Sequence, residues 1–369
     1  MNAPGTTASL RRALDDEGRL LDGVEVPDMA RVKALYMHMR RVRRLDERMQ
    51  ALQRQGRIGF YGSCTGQEAA PVAAALCVSP QDWVFPALRE SSLALVRGLS
   101  LERYLAQLFG NGADTLKGRQ MPSHHASRAI HHVSWSSAIG TQLPHAVGAA
   151  MAAKRLRRDA VMVAFLGDGA TSHPDFHAAL NFAGVFAAPV LFICQNNQYA
   201  ISLPAARQTA SATFAQKASA YGVFADRVDG NDALVVLDGV ERALTRARAG
   251  LGATLLECLT YRVGPHSSSD DPSRYREESE VRSWQARDPI SRLAQYLQCV
   301  DPFALASLDA DERAWDAEID KKLGEIEGLP PPPRESLFHD VYAEVPWHLR
   351  EQRDALLSSI PEAPTTRAL

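Results

Sequence analysis

Between Pro27 and Gly56 the apolar residues Val32, Leu35, Met39, Val42, Leu45, Met49 and Leu52 recur at steps of three and four. That spacing predicts one long helix with a single apolar stripe, capped by Asp28 and stopped by Gly56. Its other face carries Arg31, Arg40, Arg41, Arg43, Arg44, Arg48 and Arg54, interrupted by Asp46 and Glu47. The interruption favours a solvated or subunit-facing surface over an RNA site. Residues 1–26, ahead of this helix, read as a flexible or extended arm.

Farther on, helical and strand-like stretches alternate, which predicts an α/β fold with a mainly parallel sheet. Ala160–Leu166 is a near-continuous apolar run, typical of a strand covered on both faces, and it ends in Gly167-Asp168-Gly169. A helix opened by Ser172 and Pro174 reaches about Phe186; Pro189–Cys194 is the next strand and ends in Asn196-Asn197. A further strand, from about Thr254 to Tyr261, leads through Arg262 into the polar loop Gly264–Arg276. Helices follow at about 278–297 and 311–326, then the breaker Pro330–Pro333 and a last helix near 346–357. The expected division is an arm (1–26), one large α/β domain (27–300) and a helical tail with a proline-rich spacer (301–369).

Composition narrows the classes. With 46% hydrophobic residues in 369, the chain has material for a large core and is not disordered. Forty-one basic against forty-three acidic residues give a formal net charge of -2, so there is no general basic field for nucleic acid or an anionic membrane. Five scattered cysteines without a C-x-x-C pair argue against a disulfide framework or zinc ribbon and for a reducing compartment. No segment approaches the roughly 18 apolar residues of a membrane span, and Asp15, Asp16 and Glu17 speak against a transit peptide. The expected location is cytoplasmic.

Ligands of an open parallel sheet gather beyond the carboxyl ends of its strands. Gly167-Asp168-Gly169 and Asn196-Asn197 both stand at such ends, on strands joined by one helix. The pattern suits a diphosphate held through Mg²⁺, which takes one or two hard side-chain oxygens plus phosphate and water. Asp168 offers a carboxylate, Asn197 an amide oxygen and Tyr199 a backbone carbonyl, while glycines let the chain approach phosphates.

On these residues the chain resembles the alpha subunit of the thiamine diphosphate-dependent, decarboxylating first component of 2-oxo acid dehydrogenase complexes, closest to the branched-chain type. GDGATS followed by DFHAALNFA, CQNNQYAIS, GRIGFYGSCTGQEAA, FPALRE, LKGRQMPSHH, SSAIGTQLPHAVGAA and YRVGPHSSSDDPSRYR carry the likeness. It implies a three-layer thiamine diphosphate-binding fold with Asp168, Asn197 and the Tyr199 carbonyl on Mg²⁺. Gly167, Gly169 and Ala170 are expected at the cofactor, and Arg89 and Arg262 on its diphosphate. Ser137 and Ile139 are expected beside the thiamine ring. His266 is the expected active-site histidine, with Ser137 the second residue at the reacting end; His125 and His132 are expected at the entrance. Ser136, Ala138, Thr141 and Gln142 match a potassium site. Leu88 and Gln195 stand where relatives use Tyr and Arg, and Ser267 matches a segment phosphorylated in animal relatives.

The carboxylate that activates the thiamine ring comes, in this family, from a second chain, so the resemblance implies a beta subunit in a two-alpha, two-beta assembly. A lipoyl-bearing acyltransferase would accept the acyl group. Similarity around Phe60 and Tyr61 favours branched-chain 2-oxo acids, with pyruvate the runner-up and acetoin third. An NAD-binding oxidoreductase is disfavoured because no G-x-G-x-x-G follows a strand.

Overall fold

The computed structural model describes residues 9–267 and 270–359; residues 1–8 of the expected arm, 360–369 of the expected tail and Ser268-Ser269 of the polar loop lie outside these. In chain order the strands are β1 (Trp83–Phe85), β2 (Met162–Gly167), β3 (Val190–Asn196), β4 (Tyr199–Ala200), β5 (Leu203–Pro204), β6 (Phe224–Asp229) and β7 (Thr254–Leu259). Five of them pair in parallel in the order β1-β2-β3-β7-β6, while β4 and β5 form a short antiparallel ribbon. The helices are α1 (Met29–Arg54), α2 (Ala69–Cys77), α3 (Ser91–Val96), α4 (Leu101–Phe109), α5 (Gln142–Arg155), α6 (Pro174–Val185), α7 (Ala233–Arg248), α8 (Glu278–Gln285), α9 (Pro289–Val300), α10 (Pro302–Ile326) and α11 (Trp347–Ser359).

Alternate residues of the strands point to opposite faces, and both faces are apolar. Val163, Phe165, Leu191, Ile193 and Leu256 pack against α1, α2, α7 and α9. Met162, Ala164, Leu166, Phe192 and Leu255 face α5 and α6. Three layers result, with the sheet buried in the middle. Each buried Phe or Leu there contributes roughly 1.5–3 kcal/mol.

Four differences from the sequence expectation have simple causes. The expected helix at 278–297 is two, because Pro289 starts a new helix whose N-cap, Asp288, accepts from Ile290 N at 3.0 Å. The helix expected from 311 begins at Pro302, capped by Asp301. Its acidic side lies on the basic face of α1, with Arg41 Nε 2.8 Å from Asp311 and Arg44 Nη2 2.7 Å from Asp316. Arg41 and Arg44 of the arginine face are therefore engaged by the chain's own tail. The described part of the arm, residues 9–26, is likewise held: Arg11 pairs with the exposed edge of β6, and Ala13 N and Leu14 N donate to buried Asp232 at 2.6 and 2.7 Å.

Candidate functional site

The carboxyl ends of β1, β2, β3 and β7 open on one crevice. Pairing sets Gly167 opposite Gln195 and Gln195 opposite Cys258, so the segments following these strands come together. They line a cavity of about 440 Å³. Leu88, Arg89, Ser136, Ser137, Ile139, Gln142, Gly167, Asp168, Gly169, Ala170, Gln195, Asn197, Tyr199, Arg262 and His266 all reach it; Ala138 and Thr141 do not.

Asp168 opens the turn after β2 and is buried. Its Oδ2 accepts from Gln208 Nε2 at 2.6 Å, whereas Oδ1 has no partner among the described residues. Burial raises its pKa, opposed by the Gln208 hydrogen bond. A carboxylate in this state is stabilised by a cation. Beside it, Asn197 Nδ2 donates to Gln67 Oε1 at 2.9 Å, and its Oδ1, which accepts from Tyr199 N at 3.4 Å, keeps a lone pair for a further partner. The Tyr199 carbonyl accepts from Arg262 Nη1 at 3.1 Å. The β4–β5 ribbon packs so closely over the turn that a Cβ on Gly169 would lie 2.6 Å from that of Ala200, so only glycine fits there.

A cationic wall faces this corner. Arg89 donates to Ser63 O at 2.6 Å and to His266 O at 2.8 Å; Arg262 donates to Ile201 O at 2.6 Å and Tyr275 Oη at 2.8 Å. Both arginines are buried, and neither pairs with a carboxylate among the described residues. Burial, and then Arg262, lower the Arg89 pKa to about 10. Burial followed by the charges of Arg89 and Arg262 lowers His266 to about 4, leaving a neutral ring. Arg89 Nη2 approaches His266 Nδ1 at 3.5 Å and can only donate, so the imidazole proton belongs on Nε2. Glu90 also lines the cavity, but its carboxyl is engaged: it accepts from Ala87 N, Arg89 N and Gln195 Nε2, and burial lifts it to about 7.

The third wall is apolar. Trp135 is anchored through Nε1 to Ser123 O at 2.7 Å, stacks on His124 at 3.7 Å and stands 6.5 Å from the Phe60 ring. Ile139 is on the rim, 55% exposed. Ser137 Oγ lies 3.4 Å from His124 Nε2.

Ala138, Thr141, His125 and His132 fall outside the cavity. Thr141 Oγ1 bonds Ala138 O at 3.0 Å, Ala138 N bonds Ser136 Oγ at 3.2 Å and Gln142 Nε2 bonds Phe165 O at 2.8 Å, a turn that leads into α5. His125 stacks on Tyr104 at 4.0 Å, and His132 lies in the bridge beside Val84; neither reaches the cavity, because both fill space behind it. Tyr61 also turns away, donating to buried Asp46 at 2.7 Å. Gln67, Gln208 and Trp135 escape the sequence reading. Gln67 has a signal in its place after Gly66; Gln208, forty residues from Asp168, has none.

A sequence model of the family described as Dehydrogenase E1 component matches residues 36–334. The chain is 41% identical over 361 residues to the mitochondrial 2-oxoisovalerate dehydrogenase subunit alpha 2 of Arabidopsis thaliana, covering 96% of this chain and 75% of that protein. It is 39% identical over 352 residues to the mitochondrial 2-oxoisovalerate dehydrogenase subunit alpha of Homo sapiens (94% and 78%). Identity to the 3-methyl-2-oxobutanoate dehydrogenase subunit alpha of Mycobacterium tuberculosis is 42% over 338 residues (88% and 86%).

Proposed function

Since this chain belongs to the Dehydrogenase E1 component family, we propose that it is the alpha subunit of a 2-oxo acid dehydrogenase. It acts with thiamine diphosphate and Mg²⁺ to decarboxylate a branched-chain 2-oxo acid of the 3-methyl-2-oxobutanoate type and to pass the acyl group to a lipoyl domain. The observation that carries the reading is the pairing of opposite needs in one cavity. Asp168 Oδ1 lacks a cation, and buried Arg89 and Arg262 lack an anion. A metal-bound diphosphate meets both.

Asp168, the Asn197 amide oxygen and the Tyr199 carbonyl would hold the metal, with Arg89 and Arg262 on the diphosphate. No three His, Cys, Asp or Glu side chains converge among the described residues, so the metal would rely on amide, carbonyl and phosphate oxygens. The cofactor, when bound, supplies the electron sink for decarboxylation. His266 would contact the phosphates or pass a proton beside the reacting atoms. Gly167, Gly169, Ala170, Leu88 and Gln195 form the phosphate side of the wall; Ser137, Ile139, Phe60 and Trp135 shape the substrate side. Ser136, Ala138, Thr141 and Gln142 would bind K⁺ and brace that loop.

The relatives matched are themselves alpha subunits, which supports a beta subunit as partner, in a two-alpha, two-beta assembly served by a lipoyl-bearing acyltransferase. Their names also favour branched-chain acids over pyruvate and acetoin. Cysteines that are all free fit a cytoplasmic location, and no described helix is long and apolar enough to cross a membrane. The test is kcat/KM of the alpha–beta assembly for 3-methyl-2-oxobutanoate and pyruvate. One methylene in an apolar pocket is worth about 1–3 kcal/mol, so pyruvate should be the poorer substrate without being inert. A preference for pyruvate would transfer the assignment to that acid.

A further inference from the structure

Gln67 owes its position to the glycine before it. Gly66 has φ +90°, and a Cβ there would lie 2.9 Å from Tyr261 O, so the loop ahead of α2 can press against the chain leaving β7 only with glycine at this point. Thr260 Oγ1 ties it down by donating to Gly66 O at 3.1 Å. The Gln67 side chain is thereby brought, 1% exposed, to the cavity wall next to Asn197.

Two primary amides can pair in two ways, Asn nitrogen to Gln oxygen or the reverse. The two are not equivalent beside a cation. In the arrangement found, Asn197 Nδ2 donates to Gln67 Oε1 at 2.9 Å, and the Asn197 oxygen keeps a lone pair for a hard cation. The reverse would turn an NH₂ toward the metal, where it has no lone pair to give. Tyr199 N also donates to Asn197 Oδ1 at 3.4 Å, so both atoms of the amide are held in this orientation. Gln67 Nε2 has no partner among the described residues, so nothing else in the chain claims that amide.

We propose that Gln67 is a positioning residue for the metal: its Oε1 fixes the Asn197 amide so that Oδ1 is a ligand. The inference rests on the cofactor reading above and deepens it. What the position requires is a hydrogen-bond acceptor, which glutamate supplies and methionine, of similar length, does not. Groups that orient metal ligands from behind typically govern affinity by about 10- to 100-fold.

The experiment measures binding, without substrate, to the chain assembled with its beta subunit. Mg²⁺ is titrated at saturating thiamine diphosphate, followed by calorimetry, for the wild type, Gln67→Met and Gln67→Glu. Gln67→Met should weaken Mg²⁺ about 10- to 100-fold, and saturating Mg²⁺ should restore kcat, a recovery that a merely damaged fold would not show. Gln67→Glu should remain within a few-fold of wild type, because its carboxylate accepts from Asn197 Nδ2. Wild-type Mg²⁺ affinity in Gln67→Met, or a loss in Gln67→Glu as large as that in Gln67→Met, would overturn the inference. Absence of Mg²⁺-dependent cofactor binding in the wild type would instead overturn the cofactor reading on which it stands.

Discussion

Two arginine-rich regions of this protein treat charge in opposite ways. On α1, Arg41 and Arg44 reach Asp311 and Asp316 on α10, and Arg43 Nη2 lies 2.7 Å from Asp288. At the strand ends, Arg89 and Arg262 are more deeply buried yet meet only carbonyls, a hydroxyl and the His266 ring, while Asp168 keeps an oxygen without a partner among the described residues. The first region is electrostatically closed; the second is left open. Burying a charge without a counter-charge costs several kcal/mol, a cost that a fold retains where a ligand supplies the missing charge. The larger cluster is thus scaffold, and the smaller one is where we place the site.

Substitutions can break this contrast. The largest effect is expected for Asp168→Ala, which removes a charged metal ligand: loss of Mg²⁺-dependent cofactor affinity should exceed the 10- to 100-fold typical of groups behind the ligands, with the far-ultraviolet dichroism unchanged. Unaltered binding by calorimetry would remove Asp168 from the metal site. His266→Ala should lower acyl transfer to a lipoyl acceptor by ~10²- to 10⁴-fold with a smaller change in cofactor affinity. Full activity in that variant would refute the proton-handling role. Arg89→Met deletes a charge-assisted contact worth about 1.5–3 kcal/mol, which is roughly a 10- to 100-fold weaker cofactor affinity. In contrast, Arg44→Ala on α1 should leave affinity unchanged and cost no more than about 1 kcal/mol of stability by denaturant titration. If the two arginine variants behaved alike, the comparison would fail.

A further effect concerns pH. His266 sits at about 4 in the folded chain against an ordinary 6.5, because burial and the two arginines oppose its charge. Unfolding therefore takes up a proton at mildly acid pH. Stability from the neutral ring is complete above about pH 6.5 and is lost as pH falls toward 4. Urea titrations of wild type and His266→Ala across that window should converge on the acid side; a constant gap would contradict the shift.

What could be read from the chain follows the same physics. β2 and β3 were legible because both their faces are apolar, and Asp168 and Asn197 because they stand at the ends of those runs. The helix pattern of α1 was legible too, but its partner was not, since residue spacing says nothing about contacts across 270 positions such as Arg41 with Asp311. The same limit hid Gln208 on Asp168. Local punctuation at Asp288-Pro289 was available and marks a boundary that a continuous helix would erase. The open charges of the site became visible only with burial and pairing in hand, because isolated arginines look alike in a sequence.

We place a metal-bound diphosphate on the open charges at the strand ends. This placement is tested most directly by titrating thiamine diphosphate into the alpha–beta assembly with and without Mg²⁺ in a calorimeter. Saturable binding is expected at one site per alpha chain, dependent on Mg²⁺ and lost in Asp168→Ala. Binding that ignores both the metal and Asp168, or no binding at all, would contradict the placement.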